Sequence, residues 1–92
     1  MWQVVFTKQA AKDAKKLKAA GLDKKAKQLI ELVKENPFAT PPSYEALVGN
    51  LAGLYSRRIS IQHRFVYQVI QGEGEEEGTV KVIRMWTHYD KV

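Results

Sequence analysis

Leu54-Tyr55-Ser56-Arg57-Arg58-Ile59-Ser60-Ile61-Gln62-His63-Arg64-Phe65-Val66-Tyr67-Gln68-Val69-Ile70 is the stretch that decides the fold. Leu54 to Ile61 and Arg64 to Ile70 are rich in β-branched and aromatic residues, and they read as the two strands of a hairpin with Gln62-His63 near the turn. Side chains alternate along a strand. Tyr55, Arg57, Ile59 and Ile61 therefore share one face of the first strand; Ser56, Arg58 and Ser60 share the other, which reads as solvated. In the second strand Phe65, Tyr67 and Val69 alternate with Arg64, Val66, Gln68 and Ile70. A third strand, Thr79 to His88, sets Val80, Val82, Arg84, Trp86 and His88 opposite Lys81, Ile83, Met85, Thr87 and Tyr89. The last two strands are largely apolar on both faces, which places them centrally in a sheet.

Upstream of the hairpin the period changes. Trp2 to Phe6 is a short strand. Thr7 is placed to cap a helix and Gly21 to end it. Between them Ala10, Ala14 and Leu17 recur at helical spacing, with lysines on the other face. Asp23 is a second N-cap candidate, followed by the apolar stripe Ala26, Leu29, Ile30 and Val33. Asn36-Pro37 stops that helix, because the residue before proline disfavours the α region. Asn36 to Ser43 holds all three prolines and reads as a loop. Tyr44 to Val48 reads as a short strand and Gly49 to Gly53 as a turn. The acidic segment Gly72-Glu73-Gly74-Glu75-Glu76-Glu77-Gly78 is the tip of a longer hairpin. Strands gathered after helices predict an α+β fold, with two N-terminal helices packed on a mainly antiparallel sheet. The 92 residues make one domain, 1-92, with room for one modest core.

The net charge of +5 is unevenly spread. Four of the ten acidic residues lie in the tip; the remainder carries 15 basic against 6 acidic groups. A body that basic suits a polyanionic partner, although the lysines from Lys8 to Lys27 taken alone read as a solvated helix face. There is no cysteine, hence no disulfide and no thiolate metal site. The two histidines are distant in sequence, and no carboxylate cluster shows ligand spacing. No glycine loop of phosphate- or dinucleotide-binding type is present. Neither metal nor cofactor is expected. The N-terminus lacks the basic and apolar regions of a signal peptide, and no apolar run approaches bilayer length, so the expectation is a cytoplasmic protein with no membrane partner.

Metal-independent RNA cleavage needs a base for the 2′-hydroxyl, an acid for the departing 5′-oxygen and a cation at the phosphate. Each acid or base role typically contributes roughly 10²–10⁴-fold, and fixed positive charge at the phosphate often contributes more than either. His88 has the ordinary pKa range of a proton donor, or it is a strand-end histidine with no task. Tyr89 either donates to a phosphate or stacks on a base, or it is a packed C-terminal aromatic. Arg64 and Arg58 are able to clamp a phosphate bidentately. Otherwise Arg58 is a solvated side chain and Arg64 a structural ion pair; an arginine on a central strand either pairs with a carboxylate or lines an open cleft. Glu45 stands apart from the helix acids; alone it reads as a surface residue paired with Arg64, whereas held against arginines it stays ionised, as a base must. His63, near the turn, reads as structural or solvated.

Glu45-Ala46-Leu47, then Asn50-Leu51-Ala52-Gly53-Leu54-Tyr55-Ser56-Arg57-Arg58-Ile59, then His63-Arg64-Phe65-Val66-Tyr67, and finally His88-Tyr89, resemble the YoeB/Txe branch of the RelE/ParE toxin superfamily. The resemblance spans essentially the whole chain. It implies a small RelE-like, microbial-ribonuclease-like α+β fold and a bacterial toxin that enters the ribosomal A site and cuts mRNA there without a metal. Glu45 would be the general base and His88 the general acid. Arg64 would stabilise the phosphate, Arg58 and its neighbour Arg57 would contact RNA, and Tyr89 would orient the substrate. The implied products end in a 2′,3′-cyclic phosphate and a 5′-hydroxyl. The implied partners are a cognate antitoxin, the ribosome with its mRNA, and a second copy of the chain in a homodimer.

Two departures stand out. Close relatives often carry a lysine three residues after the glutamate, where this chain has Val48, and the chain continues past His88-Tyr89 through Asp90-Lys91-Val92. Two rival readings share the composition. One is a ParE-like toxin that poisons DNA gyrase without cutting RNA, which has no need of an acid–base pair. The other is a nucleic-acid-binding domain without activity.

Overall fold

The computed structural model describes residues 1–74 and 76–86. The elements run β1 (Gln3–Phe6), α1 (Lys8–Ala19), α2 (Asp23–Glu35), β2 (Glu45–Ala46), β3 (Leu54–Arg58), β4 (Arg64–Ile70) and β5 (Thr79–Arg84), with one turn of 3-10 helix at Gly49–Leu51. The sheet order is β1-β5-β4-β3-β2. Only β1 and β5 are parallel; every other pair is antiparallel. The expected α+β architecture is therefore present, and β4 occupies the centre of the sheet.

Local chemistry sets the helix ends. The Thr7 hydroxyl accepts from Ala10 N at 3.0 Å and donates to Ile83 O at 2.8 Å, so one side chain caps α1 and ties it to β5. Gly21 adopts φ +76°, a region costly for other L-residues. Its N–H reaches Lys18 O and the Leu22 N–H reaches Leu17 O, which is the paired bonding of a Schellman C-cap. Leu22, not Asp23, is the N-cap of α2 and contributes no side-chain bond. Asp23 is the first helical residue, where its charge complements the helix dipole. α2 ends at Asn36, which is extended ahead of Pro37 as expected.

The core lies on one face of the sheet. Ala10 and Leu17 of α1 and Ala26, Leu29 and Val33 of α2 meet Ile59, Phe65, Tyr67, Val80, Val82 and Met85. Ala14, expected in the stripe, is exposed. Asp13 is buried instead, only 1% exposed. Its carboxylate accepts from Met85 N at 3.0 Å and from the Gln9 side-chain amide at 2.9 Å.

The strand expectations are corrected at several points. The first hairpin strand stops at Arg58 rather than Ile61, and Ile59 to His63 form the turn. The face of Ser56 is not simply solvated, since Ser56 is 3% exposed. Along β5 the pairing slips at Val66/Tyr67, so that Tyr67 faces Val82 while Val66 faces Arg84. A bulge reverses alternation beyond it. Arg84 thus shares a face with Val66, and Met85 enters the core, the opposite of strict alternation from Thr79. The third strand, expected to run to His88, ends at Arg84, with Met85 and Trp86 beyond it; Thr87 and His88 lie outside the described residues.

The acidic tip joins the Ile70 end of β4, at the opposite end of that seven-residue strand from Arg64 and roughly 20 Å away along it. Glu77 pairs with the Met1 amino group, tethering the tip beside β1.

Candidate functional site

The sheet face away from the helices is ordered by strand register. Glu45 pairs with Ser56, Ser56 with Val66, and Arg58 with Arg64. Directly opposed residues project to the same side, so Glu45, Arg58 and Arg64 gather although they are up to 19 positions apart in the chain. They line an open cleft of about 730 Å³, together with Lys25 from α2, Pro42, Ser43 and Tyr44 from the proline loop, Ser56 and Ile59.

Each of the three is held differently. Arg64 is half-buried, and its Nη1 donates to the carbonyls of Ser60 (2.7 Å), Ile61 (3.0 Å) and His63 (3.2 Å). One nitrogen thereby closes the β3–β4 turn. Nε and Nη2 make no hydrogen bond among the described residues, which leaves them to the cleft. Of the alternatives for Arg64, the open cleft is the one observed: no ion pair joins it to Glu45 among the described residues. Arg58 and Glu45 are exposed, on β3 and on the edge strand β2. Val48 is 82% exposed and lies outside the cleft lining.

Arg57 is a correction. It was expected to contact RNA, but it is 1% exposed. Its three donor groups reach Tyr67 Oη (3.0 Å), Pro42 O (2.7 Å) and Pro37 O (2.9 Å), all inside the protein. A guanidinium so nearly closed off, with its hydrogen bonds internal, is not presented to a phosphate. It fastens the loop between Pro37 and Pro42 to the sheet, just ahead of Ser43, Tyr44 and Glu45. Its guanidinium also lies over the Tyr44 ring, 5.2 Å from the centroid.

His63 is structural, as one of its two readings had it. Its Nδ1 is 2.8 Å from Ser60 Oγ within the turn, and its ring meets Trp86 at 4.3 Å between centroids. His88 and Tyr89 lie outside the described residues. Trp86, the last described residue, stands against His63 and hence one residue from Arg64. Sequence reasoning missed Lys25, Ser43 and Tyr44 as cleft residues; they carry no motif, and only packing brings them to Glu45.

A second concavity, about 500 Å³, runs between α1 and α2 and is lined mainly by Ala11, Ala14, Ala26, Ile30 and Met85 with lysines at its rim. Among the described residues no three His, Asp or Glu side chains gather as a metal site, and no helix is long and apolar enough to cross a membrane.

The sequence profile of the YoeB-like toxin of bacterial type II toxin-antitoxin systems matches residues 6–89. The chain belongs to this family. It is similar to toxin YoeB of Escherichia coli K12, 44% identical over 46 residues, which is 50% of this chain and 55% of that protein. The chain thus matches about half the length of this curated relative. The YoeB/ParE toxin from Agrobacterium tumefaciens superposes with a TM-score of 0.80 at 35% identity, covering 95% of this chain and 99% of that one. YoeB in a YoeB–YefM complex from Staphylococcus aureus follows with a TM-score of 0.76 at 29% identity, covering 97% and 99%; the Staphylococcus protein is also known as a dimer. The family and fold expected from the sequence are those found.

Proposed function

We propose that this YoeB-family chain is the toxin of a type II toxin–antitoxin pair, and that it cuts mRNA in the ribosomal A site without a metal. The observation that supports this most is the convergence of Glu45, Arg58 and Arg64 on one open cleft. It supplies a carboxylate base and two arginines with donors free for a phosphate, the minimum set for attack by a 2′-hydroxyl.

In this mechanism Glu45 takes the proton from the 2′-hydroxyl as O2′ bonds to phosphorus. Arg64 and Arg58 hold the non-bridging oxygens and stabilise the charge that builds there. The P–O5′ bond breaks, and His88 donates a proton to the leaving O5′. Tyr89 contacts the substrate at the same phosphate. The products are a 2′,3′-cyclic phosphate and a 5′-hydroxyl end. The antitoxin is proposed to be an acidic or amphipathic segment that covers the basic cleft and folds on binding. Homodimerisation and a cytoplasmic setting belong to the same reading.

The test is primer extension on mRNA in a reconstituted translation reaction, comparing the native chain with His88→Ala. Cuts inside the A-site codon that vanish in the variant are the expected result. Uncut message with translation intact overturns the reading, and DNA breaks accumulating beside intact mRNA would replace it with gyrase poisoning.

A further inference from the structure

The four lysines of α2 have four different surroundings. Lys34 pairs with Glu31 at 3.6 Å. Lys27 lines the apolar groove between the helices, as does Asp23. Lys24 is exposed and lines neither concavity. Lys25 alone of the helix lines the cleft that holds Glu45, Arg58 and Arg64. It is exposed and forms no ion pair among the described residues.

The charge balance of the cleft is informative. Lys25, Arg58 and Arg64 stand against Glu45, three cations to one carboxylate, a net of +2. A single phosphodiester carries one negative charge, so the cleft holds more fixed positive charge than the reacting phosphate neutralises. Like charges gathered in one cleft repel when it is empty and become favourable when a polyanion enters. The two arginines stand at the β3–β4 end of the sheet, whereas Lys25 belongs to another wall, near the start of α2. A flexible ammonium makes a point contact with a phosphate and cannot form the bidentate fork that an arginine offers.

We infer that Lys25 holds a second phosphate of the RNA strand, next to the one gripped by Arg58 and Arg64, and so directs the path of the strand through the cleft. This rests on the RNA-cleaving reading above. A backbone contact of this kind positions the strand without reading its sequence. Its loss weakens binding of every sequence alike and leaves the chemical step intact.

The experiment is a salt titration of binding to a short single-stranded RNA whose 2′-O-methyl groups prevent cleavage, for the native chain, Lys25→Ala and Lys24→Ala. Removing one phosphate contact lowers the slope of log K against log salt by about 0.7 on a single strand. That decrease is expected for Lys25→Ala and not for Lys24→Ala, which carries the same charge change one residue away. In A-site cleavage assays Lys25→Ala raises KM and keeps kcat within about twofold of native, because uniform binding is what it loses. Equal slopes for Lys25→Ala and the native chain, or equal losses in the two variants, overturn the inference while leaving the cleavage reading in place. A native chain that neither binds the oligonucleotide nor cuts mRNA overturns both.

Discussion

Arg57 and Tyr67 are joined across β3 and β4 by a 3.0 Å bond from Arg57 Nε to the tyrosine hydroxyl, and both then donate to one acceptor, the Pro37 carbonyl. This triangle sits in the core, with Tyr67 fully buried and Arg57 1% exposed. Burial of an ionised side chain is costly unless its donors are matched; here two loop carbonyls and a phenol match them. The loop that leads to Glu45 is therefore fastened by core hydrogen bonds.

Arg57→Ala should leave the Pro42 carbonyl without this donor and the Tyr67 hydroxyl without the one it accepts, while the Pro37 carbonyl keeps the Tyr67 hydroxyl. A loss of about 3 kcal/mol or more is expected, since each unsatisfied buried group costs about 1–3 kcal/mol. Arg57→Lys should recover less than half of it, because an ammonium cannot span the same fork. Urea midpoints at unchanged m value measure both. A native-like midpoint for Arg57→Ala would contradict the structural role assigned to this residue.

Tyr67 gives a pH dependence. Burial raises its pKa above the ordinary 10.0, and the neighbouring Arg57 opposes that rise without cancelling it. The unfolded chain therefore ionises first, and the folded state binds more protons above pH 10. Stability from this group is fully present below about pH 10 and declines as pH rises through the folded pKa. Tyr67→Phe should be less stable at neutral pH by about 1–2 kcal/mol, through the lost hydroxyl bonds. It should also show a shallower fall in melting temperature above pH 10 than the native chain.

Asp13 links α1 to the end of β5. Asp13→Ala removes the acceptor for Met85 N in a site closed to water, and a cost of about 1–3 kcal/mol is expected. Asp13→Asn keeps one acceptor oxygen and should lose less. Parallel denaturation curves of the two variants separate the hydrogen bond from the charge.

Glu45 and Arg64 make little contribution to packing, so their loss should be felt in chemistry. Glu45→Gln should keep the native midpoint and lower the A-site cleavage rate by roughly 10²–10⁴-fold, the usual weight of a positioned base. Arg64→Ala should lower the rate similarly with a small stability change from the three turn carbonyls it releases. Rates are read in single-turnover cleavage on programmed ribosomes, and undiminished cutting by Glu45→Gln would remove it from the mechanism.

The local pattern was readable directly. Thr7, Gly21 and Asn36-Pro37 mark helix boundaries because capping, positive φ and pre-proline sterics act within a few residues. The periods of the apolar residues gave two helices and a central hairpin, since helix and strand repeat differently and each buries one set of side chains. Alternation even placed Arg57 with Tyr55 and Ile59, on the apolar side of β3. Folding decided what alternation leaves open. Whether that arginine meets RNA or carbonyls depends on a loop some 20 positions away. The bulge opposite Val66 and Tyr67 sends Met85 inward and Arg84 outward, against strict parity, because one extra residue inverts everything after it. Lys25 reaches the cleft, and Asp13 reaches Met85, only by tertiary packing. Spacing along a chain records interactions of short range, and those that join the helices to the sheet arise only when the core closes.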